Sequence, residues 1–237
     1  EGSDIWFKQI DSGTSDEFLT IQKCSFSYPH CSNGGDFDAI YSLLKLEWIG
    51  KSGLKFNNND ISFTCENDDI SFIAIESQSN AITPTKDKMV FDSNSITKNF
   101  KITDDETIKS IISENENAFK YDGTPDVEEP ESPTTPSKPV DPIDPNPPDE
   151  SYECRPKPTG TVDDLSTNPQ KYQSQSILYG KSLNIDKRID ANLHCVSLCS
   201  CKFIGLSDSS SEGGGAIYIY TKGKNPDNSY YNYIENC

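Results

Sequence analysis

Cations are scarce in this chain. Twenty-one Lys and Arg stand against thirty-eight Asp and Glu in 237 residues, a formal net charge of −17 and a pI near 4.4. A surface of that sign repels phosphate backbones and anionic lipid headgroups, so nucleic acid is not an expected partner. The same carboxylates suit hard cations, so the composition permits Ca²⁺, and no other cofactor is read from it. Long apolar runs are also missing. The most apolar stretch, Tyr41 to Ile49, is interrupted by Lys45 and Glu47, and a helical membrane span needs about 18 to 20 apolar residues in a row. We therefore expect no transmembrane segment within this sequence. Hydrophobic residues make up 33%, below the roughly 45–50% (a figure that includes Gly) of ordinary domains. Part of the chain must lie outside a core, or the fold must be thin and elongated.

Other absences narrow the chemistry. Histidine occurs only as His30 and His194. A Ser-His-Asp set would need one of them, and neither sits in a supporting motif. Gly213-Gly214-Gly215 lacks the Lys and helix of a phosphate loop. The chain is rich in Asn yet has no Asn-x-Ser/Thr sequon, which argues against a secretory route. Eight cysteines (24, 31, 65, 154, 195, 199, 201 and 237) argue the other way, because an even count in an acidic chain suits an oxidising compartment. There is no initiator Met or signal-peptide core, and the last residues read as the start of a fresh repeat. We expect a piece of a longer or processed protein, with any anchor outside it.

What is present falls into three parts. Residues 122–153 hold nine of the fifteen prolines and ten acids against one base, Lys138. Proline fixes φ and removes ladder donors, and like charges extend the chain further, so this segment reads as a semi-rigid acidic linker. Pro136 to Pro139 and Pro139 to Pro142 also match PxxP, the ligand pattern of SH3-type and WW-type domains. The linker separates residues 1–121 from residues 154–237. Both flanks show short alternating apolar runs, such as Phe18-Leu19-Thr20-Ile21 and Ala216-Ile217-Tyr218-Ile219-Tyr220, broken by Asn, Asp, Ser and Gly. That is strand-and-turn punctuation. One stretch differs. Thr103-Asp104-Asp105-Glu106 matches a capping box, and Ile108, Ile111 and Ile112 follow at helical spacing, which predicts a short helix over 104–114.

An 18-residue pattern occurs twice, CSFSYPHCSNGGDFDAIY from Cys24 and CKFIGLSDSSSEGGGAIY from Cys201. Cys24, Phe26, Gly34, Gly35, Ala39, Ile40 and Tyr41 match Cys201, Phe203, no member at 211 or 212 but Gly214, Gly215, Ala216, Ile217 and Tyr218 further on, the Cys, Phe and Ala-Ile-Tyr positions each 177 residues apart (201 − 24 = 177, 216 − 39 = 177). Repeats at fixed spacing mark architectures in which stacked units bury what no single unit can. The expectation is that Cys24 and Cys201, and likewise Ile40 and Ile217, occupy equivalent places.

Gly214-Gly215-Ala216-Ile217, with Phe56-Asn57-Asn58-Asn59 and Phe91-Asp92-Ser93-Asn94, resembles the GGAI and FxxN repeats of the polymorphic outer membrane proteins. The chain is similar in this to the large surface proteins of some protozoan parasites. The resemblance implies a mainly β fold of right-handed, pectin-lyase-like parallel β-helix coils, here interrupted by the Pro-rich linker. It also implies a cell-surface or extracellular protein that acts as an adhesin toward a protein or glycan partner. Asn at a turn could bond its equivalents in adjacent coils.

Candidate chemistry is sparse. His194, Cys195, Cys199 and Cys201 could hold Zn²⁺. Alternatively the three cysteines, which share strand parity, form a buried or disulfide-bonded column. A bridge involving one of them is expected, and one between Cys24 and Cys31 if their turn brings them close. Acids cluster at Asp68-Asp69, at Asp104-Asp105-Glu106, and at Asp36 and Asp38. Paired carboxylates serve glycoside hydrolysis, so a carbohydrate-active enzyme, a polysaccharide lyase or glycoside hydrolase, is the alternative function. No Gly-His-Gly or Arg-Ile-Lys motif accompanies them, the nearest being Arg188-Ile189-Asp190. Eleven tyrosines, five of them between 218 and 233, suit an interface as well as an ordinary sheet. No catalytic or cofactor-binding residue is assigned, and a non-catalytic recognition protein is the expected function.

Overall fold

The alternating runs become strands, and each pairs with its neighbours in parallel. The computed structural model describes residues 3–9, 18–28, 42–48, 53–63, 72–77, 85–96, 102–121, 152–167, 172–173, 176–204, 216–221 and 231–237. Among them are β1 (Ser3–Gln9), β2 (Phe18–Gln22), β3 (Ser25–Tyr28), β4 (Ser42–Trp48), β5 (Gly53–Asn57), β6 (Asp60–Phe63), β7 (Ile73–Ser77), β8 (Met89–Asp92) and β9 (Asn94–Ile96). Then come α1 (Glu106–Ser113), β10 (Phe119–Tyr121), β11 (Val162–Asp164), β12 (Ile177–Lys181), β13 (Asn184–Ile185), β14 (Ile189–Asn192), β15 (Cys195–Cys199), β16 (Lys202–Phe203), β17 (Ile217–Thr221) and β18 (Tyr231–Glu235). The protein is mainly β, with one helix among the described residues.

Among the described residues the strands form four sheets, ordered β14-β17-β1-β4-β7, β11-β12-β15-β18-β2-β5-β8, β10-β9-β6-β3 and β13-β16. Most successive strands go to different sheets, β9 to β10 and β11 to β12 being the exceptions. β2, β3 and β4 lie in the seven-, four- and five-stranded sheets, and β5, β6 and β7 repeat that circuit one rung further on. β12, β13, β14 and β15, β16, β17 make the same circuit through the two-stranded sheet. Parallel strands cannot be joined by tight hairpins, so each must be reached by a crossover; here the crossover is the rest of the circuit.

The two flanks of the proline-rich segment do not form separate stacks. β17 pairs with β1 and β18 with β2, so residues of the C-terminal flank continue directly into those of the N-terminal flank. Residues 122–151, most of the expected linker, lie outside the described residues. Its expected boundary moves, because Tyr152 already packs on the sheets (below).

Register rows build the core. In the five-stranded sheet Ile189, Ile217, Ile5, Leu44 and Ile73 form one row, each at most 3% exposed. In the seven-stranded sheet Gly180, Leu198, Ile234, Ile21, Phe56 and Phe91 form another. Side-chain volume grows along that row, ending in a cluster where Phe56 meets Phe72 at 5.5 Å and Phe91 meets Phe119 at 5.8 Å between ring centroids. Leu44 is the residue of β4 in register with Ile5 and Ile217. Ile40, expected to share the place of Ile217, lies outside the described residues with Ala39 and Tyr41. The two copies can be compared at their cysteines.

The cysteine equivalence has a backbone cause. Each strand of the seven-stranded sheet from β12 to β8 is followed by one residue of positive φ: Ser182, Ser200, Asn236, Lys23, Asn58 and Ser93, all between 50° and 55°. Their amides donate to the next rung, as Ser200 N–H does to Glu235 O at 3.0 Å and Asn58 N–H to Asp92 O at 2.9 Å. A left-handed residue reverses strand alternation, so the residue after it turns inward. Those residues are Leu183, Cys201, Cys237, Cys24, Asn59 and Asn94. The expected shared parity of Cys195, Cys199 and Cys201 is thereby corrected. Val196 and Leu198 join the core, Cys199 faces the opposite side of β15, and the bend at Ser200 brings Cys201 inward with 0% exposure.

The helix is as expected in place and shorter in extent, Glu106–Ser113 against 104–114. Asp105, not Thr103, is its N-cap, its Oδ1 accepting from Ile108 N–H at 2.9 Å. Thr103 Oγ1 instead accepts from Asp105 N–H, and Thr103 pairs with Ile73 as the next rung. Ile108 is fully buried and Ile111 and Ile112 half-buried against the core. The helix packs beside β8, the edge strand of the seven-stranded sheet, which is how an exposed edge is covered.

Candidate functional site

The outer face of the five-stranded sheet gathers aromatic rings and cations. Strand alternation sends Ile217 and Ile219 inward and leaves Tyr218 and Tyr220 half-exposed outside. In register beside them are two outer rows: Asp190, Tyr218, Trp6, Lys45 and Ala74, then Asn192, Tyr220, Lys8 and Glu47. Trp6 and Tyr218 lie 4.9 Å apart between ring centroids, and Tyr218 and Tyr220 stack at 6.2 Å with an interplanar angle of 18°. The Nζ of Lys45 stands 4.9 Å and that of Lys8 5.6 Å from the Trp6 ring centre, and the Arg188 guanidinium is 5.3 Å from that of Tyr218. Lys8 also pairs with Glu47 at 2.8 Å. Three rings and three cations thus lie against one another on this side of the sheet, on a strongly acidic chain, with the Trp6 indole nitrogen and part of the Arg188 guanidinium buried among them. Such rings offer large contact area at low entropic cost, and their faces attract cations or the C–H side of a sugar.

The seven-stranded sheet carries a different structure outside. Residues 152–157 cross its strands. Tyr152 O–H accepts from Gln22 Nε2 at 3.1 Å, and Lys23 Nζ sits 4.8 Å over the Tyr152 ring. Arg155 Nε donates to Glu235 Oε1 at 2.7 Å and its guanidinium lies 4.0 Å from the Tyr233 ring. Lys157 Nζ donates to Asp164 Oδ2 at 2.6 Å, and with Ser166 it holds that carboxyl at about 2, well below its ordinary 3.8. A disulfide joins Cys154 to Cys199, with Cα atoms 5.9 Å apart. One short segment therefore straps β2, β18, β15 and β11 together. Glu235, 1% exposed, is held by Arg155, Gln22 (2.6 Å) and Tyr152 (3.3 Å).

The zinc set does not survive this arrangement. Cys199 is committed to Cys154, and Cys201 lies on the opposite face, so His194, Cys195, Cys199 and Cys201 do not converge on one point. Among the described residues no cluster of three or more His, Cys, Asp or Glu could hold a metal ion. The expected bridge from Cys24 is also corrected, because Cys24 is a buried free thiol. Cys31 and Cys65 lie outside the described residues, as do His30, Asp36, Asp38, Asp68, Asp69, Gly34, Gly35, Ala39, Ile40, Tyr41, Gly214 and Gly215. Phe26 and Phe203 pair with Ile61 and Ile185 and pack on the core. The acids Asp104 to Glu106 serve the helix: Asp105 caps it and Glu106 pairs with Lys109.

One polar set escaped the sequence. Ser176 Oγ donates to Asp163 Oδ2 at 2.5 Å and lies 3.2 Å from His194 Nδ1. Here the hydroxyl stands between acid and imidazole, whereas nucleophilic catalysis needs the imidazole between them. Ser176 is also 1% exposed. The set ties together the starts of β12 and β15, and burial against Tyr172 pushes the His194 imidazole below its ordinary 6.5.

Compared with known proteins, the chain matches no family model, no curated protein and no solved structure.

Proposed function

We propose that this chain is a non-catalytic recognition module of a cell-surface or extracellular protein, and that its parallel strands are coils of a right-handed, pectin-lyase-like β-helix. The circuit of strands through successive sheets supports the coil reading, as does the likeness of its GGAI and FxxN units to those of polymorphic outer membrane proteins. The observation that carries the recognition role is the outer row Tyr218–Trp6–Lys45, with Tyr220, Lys8 and Arg188 around it. Rings in register on adjacent strands suit a glycan chain or an extended protein segment. The disulfide between Cys154 and Cys199 fits an oxidising compartment. No helix among the described residues is long and apolar enough to cross a membrane.

A glycan array read beside a polysaccharide-degradation assay tests this reading. The expected outcome is binding without cleavage, with Trp6→Ala reducing affinity about tenfold, the equivalent of one lost ring contact of ~1.4 kcal/mol. Turnover of any polysaccharide would replace recognition with the carbohydrate-active alternative. Binding that Trp6→Ala leaves unchanged would move the site off this face.

A further inference from the structure

Three thiols stand one above another inside the sheets. Cys201, Cys237 and Cys24 each lie two residues beyond one register row, Cys199–Glu235–Gln22. Each follows its own positive-φ residue, Ser200, Asn236 or Lys23. Their thiols donate to nearby carbonyls: Cys201 to Cys199 O at 3.5 Å, Cys237 to Glu235 O at 3.2 Å, and Cys24 to Ile234 O at 3.4 Å. Cys201 N–H points at Cys237 Sγ from 3.4 Å, and the Cys237 thiol interacts with both Cys24 and Cys201. All three are free.

Rung spacing decides which pairs can bond. Neighbouring strands lie about 4.8 Å apart, inside the 4.4–6.8 Å Cα window of a disulfide. Two rungs span roughly 9.6 Å, beyond the ~7 Å limit. Cys237 is one rung from each of the others, and Cys24 and Cys201 are two rungs apart. We propose that this column is a redox cross-linking site in which Cys237 is the obligatory partner, bonding Cys24 or Cys201, which never bond each other. The oxidant is a small-molecule disulfide such as oxidised glutathione. The Cys237 thiolate attacks it, releasing one thiol and leaving a mixed disulfide. Cys24 or Cys201 then displaces the second thiol. Two protein thiols lose two protons and two electrons, and one small disulfide becomes two thiols. The remaining protein thiol stays one rung from the new bond, placed to exchange with it.

The two products differ in consequence. A bond from Cys237 to Cys24 ties β18 to β2 and makes the junction between the two flanks covalent. A bond from Cys237 to Cys201 stays within residues 152–237. Burial raises the Cys237 thiol, and the hydrogen bond with Cys237, with burial behind it, raises the Cys201 thiol, both well above their ordinary range; the thiolate is the attacking form. Cross-linking therefore proceeds when the rung opens, and its rate reports that opening.

The test is peptide mapping of the full chain by mass spectrometry, without reduction, after incubation with oxidised glutathione at pH 8.5 and blocking of remaining thiols. The expected result is a Cys24–Cys237 or Cys201–Cys237 peptide as the main new species, with Cys154–Cys199 unchanged as the internal reference. In Cys237→Ser, Cys24 and Cys201 stay unlinked. Should that variant fail to fold by circular dichroism, Cys24→Ala serves instead, and all cross-linking shifts to Cys201–Cys237. A Cys24–Cys201 peptide overturns the proposal. So do three thiols that stay free, or a glutathione adduct on Cys237 that never resolves.

Discussion

Asn59 lies directly against Asn94, its Nδ2 donating to the Asn94 Oδ1 at 3.0 Å, and both are at most 1% exposed. Neither has a spare polar atom. Asn59 Oδ1 accepts from Cys24 N–H at 2.9 Å, and its Nδ2 also reaches Ile21 O at 3.1 Å. Asn94 Nδ2 reaches Phe56 O at 2.9 Å and Ala118 O at 2.8 Å. These amides satisfy the backbone groups that each positive-φ bend takes out of the ladder.

Asn59→Leu should therefore cost more than its volume suggests. Leucine is of similar size but leaves Cys24 N–H and Ile21 O buried without that partner, at about 1–3 kcal/mol. Denaturant unfolding followed by circular dichroism should show the midpoint fall by that equivalent. An unchanged midpoint would mean that the ladder contributes nothing to stability.

Gly180 sets a limit at the other end of the same sheet. A Cβ there would meet Leu198 Cδ2 at 3.0 Å, Leu183 Cδ1 at 3.3 Å and Cys201 Sγ at 3.4 Å. Gly180→Val adds two more methyls to this row and should destabilise by about 1–3 kcal/mol through overpacking. Gly180→Ala should cost less, since the atoms it meets are side-chain ends. A thermal melt of the pair checks the order, and equal midpoints for both variants would place free volume beside residue 180.

The Asn ladder was legible before any coordinates, because Phe56-x-x-Asn59 and Phe91-x-x-Asn94 spell it out: an inward ring, an outward residue, a bend, an inward amide. Its continuation was hidden by chemistry. Ile21-x-x-Cys24, Leu198-x-x-Cys201 and Ile234-x-x-Cys237 are the same unit with thiol in place of amide, spaced 36 from Cys201 to Cys237 and 35 from Cys24 to Asn59 and from Asn59 to Asn94, whereas Leu183 to Cys201 is only 18. Grouping Cys195, Cys199 and Cys201 by strand parity, as a buried or bridged column or a zinc set, concealed that Cys201 belongs with Cys237 and Cys24 after the positive-φ bends. The outer face was half legible. Tyr218 and Tyr220 follow from alternation, but Trp6, Lys8 and Lys45 join them only through β17–β1 and β1–β4 pairing across sequence distances that no local pattern reports. Ser176, Asp163 and His194 were hidden for the same reason.

The strap should behave as a fastener on the outside of the seven-stranded sheet. Cys154 and Cys199 are 45 residues apart, and closing a loop of that size restricts the unfolded chain by ~4 kcal/mol in the chain-entropy account. Cys154→Ser should lower stability by up to that amount. It should also speed amide exchange in β15, β18 and β2, because Arg155 and Tyr152 lose their tether over Glu235 and Gln22. Hydrogen exchange by mass spectrometry reads both. If exchange rises only within residues 152–157, the segment merely rests on the sheet.

Acid should weaken the corner where β12 and β15 begin. Burial depresses the His194 imidazole below its ordinary 6.5, against smaller opposing effects from Ser176, Asp163 and Asp190. A base whose folded pKa is lowered binds protons more readily in the unfolded chain, so stability falls as pH drops from 6.5 toward the folded value. Asp164, held at about 2 by Lys157 and Ser166, acts in a lower window: its contribution is complete above 3.8 and lost as pH falls toward 2. The two are therefore separable. Denaturation midpoints taken from pH 7.5 to pH 5 should decline in the parent chain and flatten in His194→Gln, while Asp164→Asn should leave that slope alone and change only the limb below pH 4. A slope between 7.5 and 5 that survives in His194→Gln would assign the acid sensitivity to a group other than this histidine.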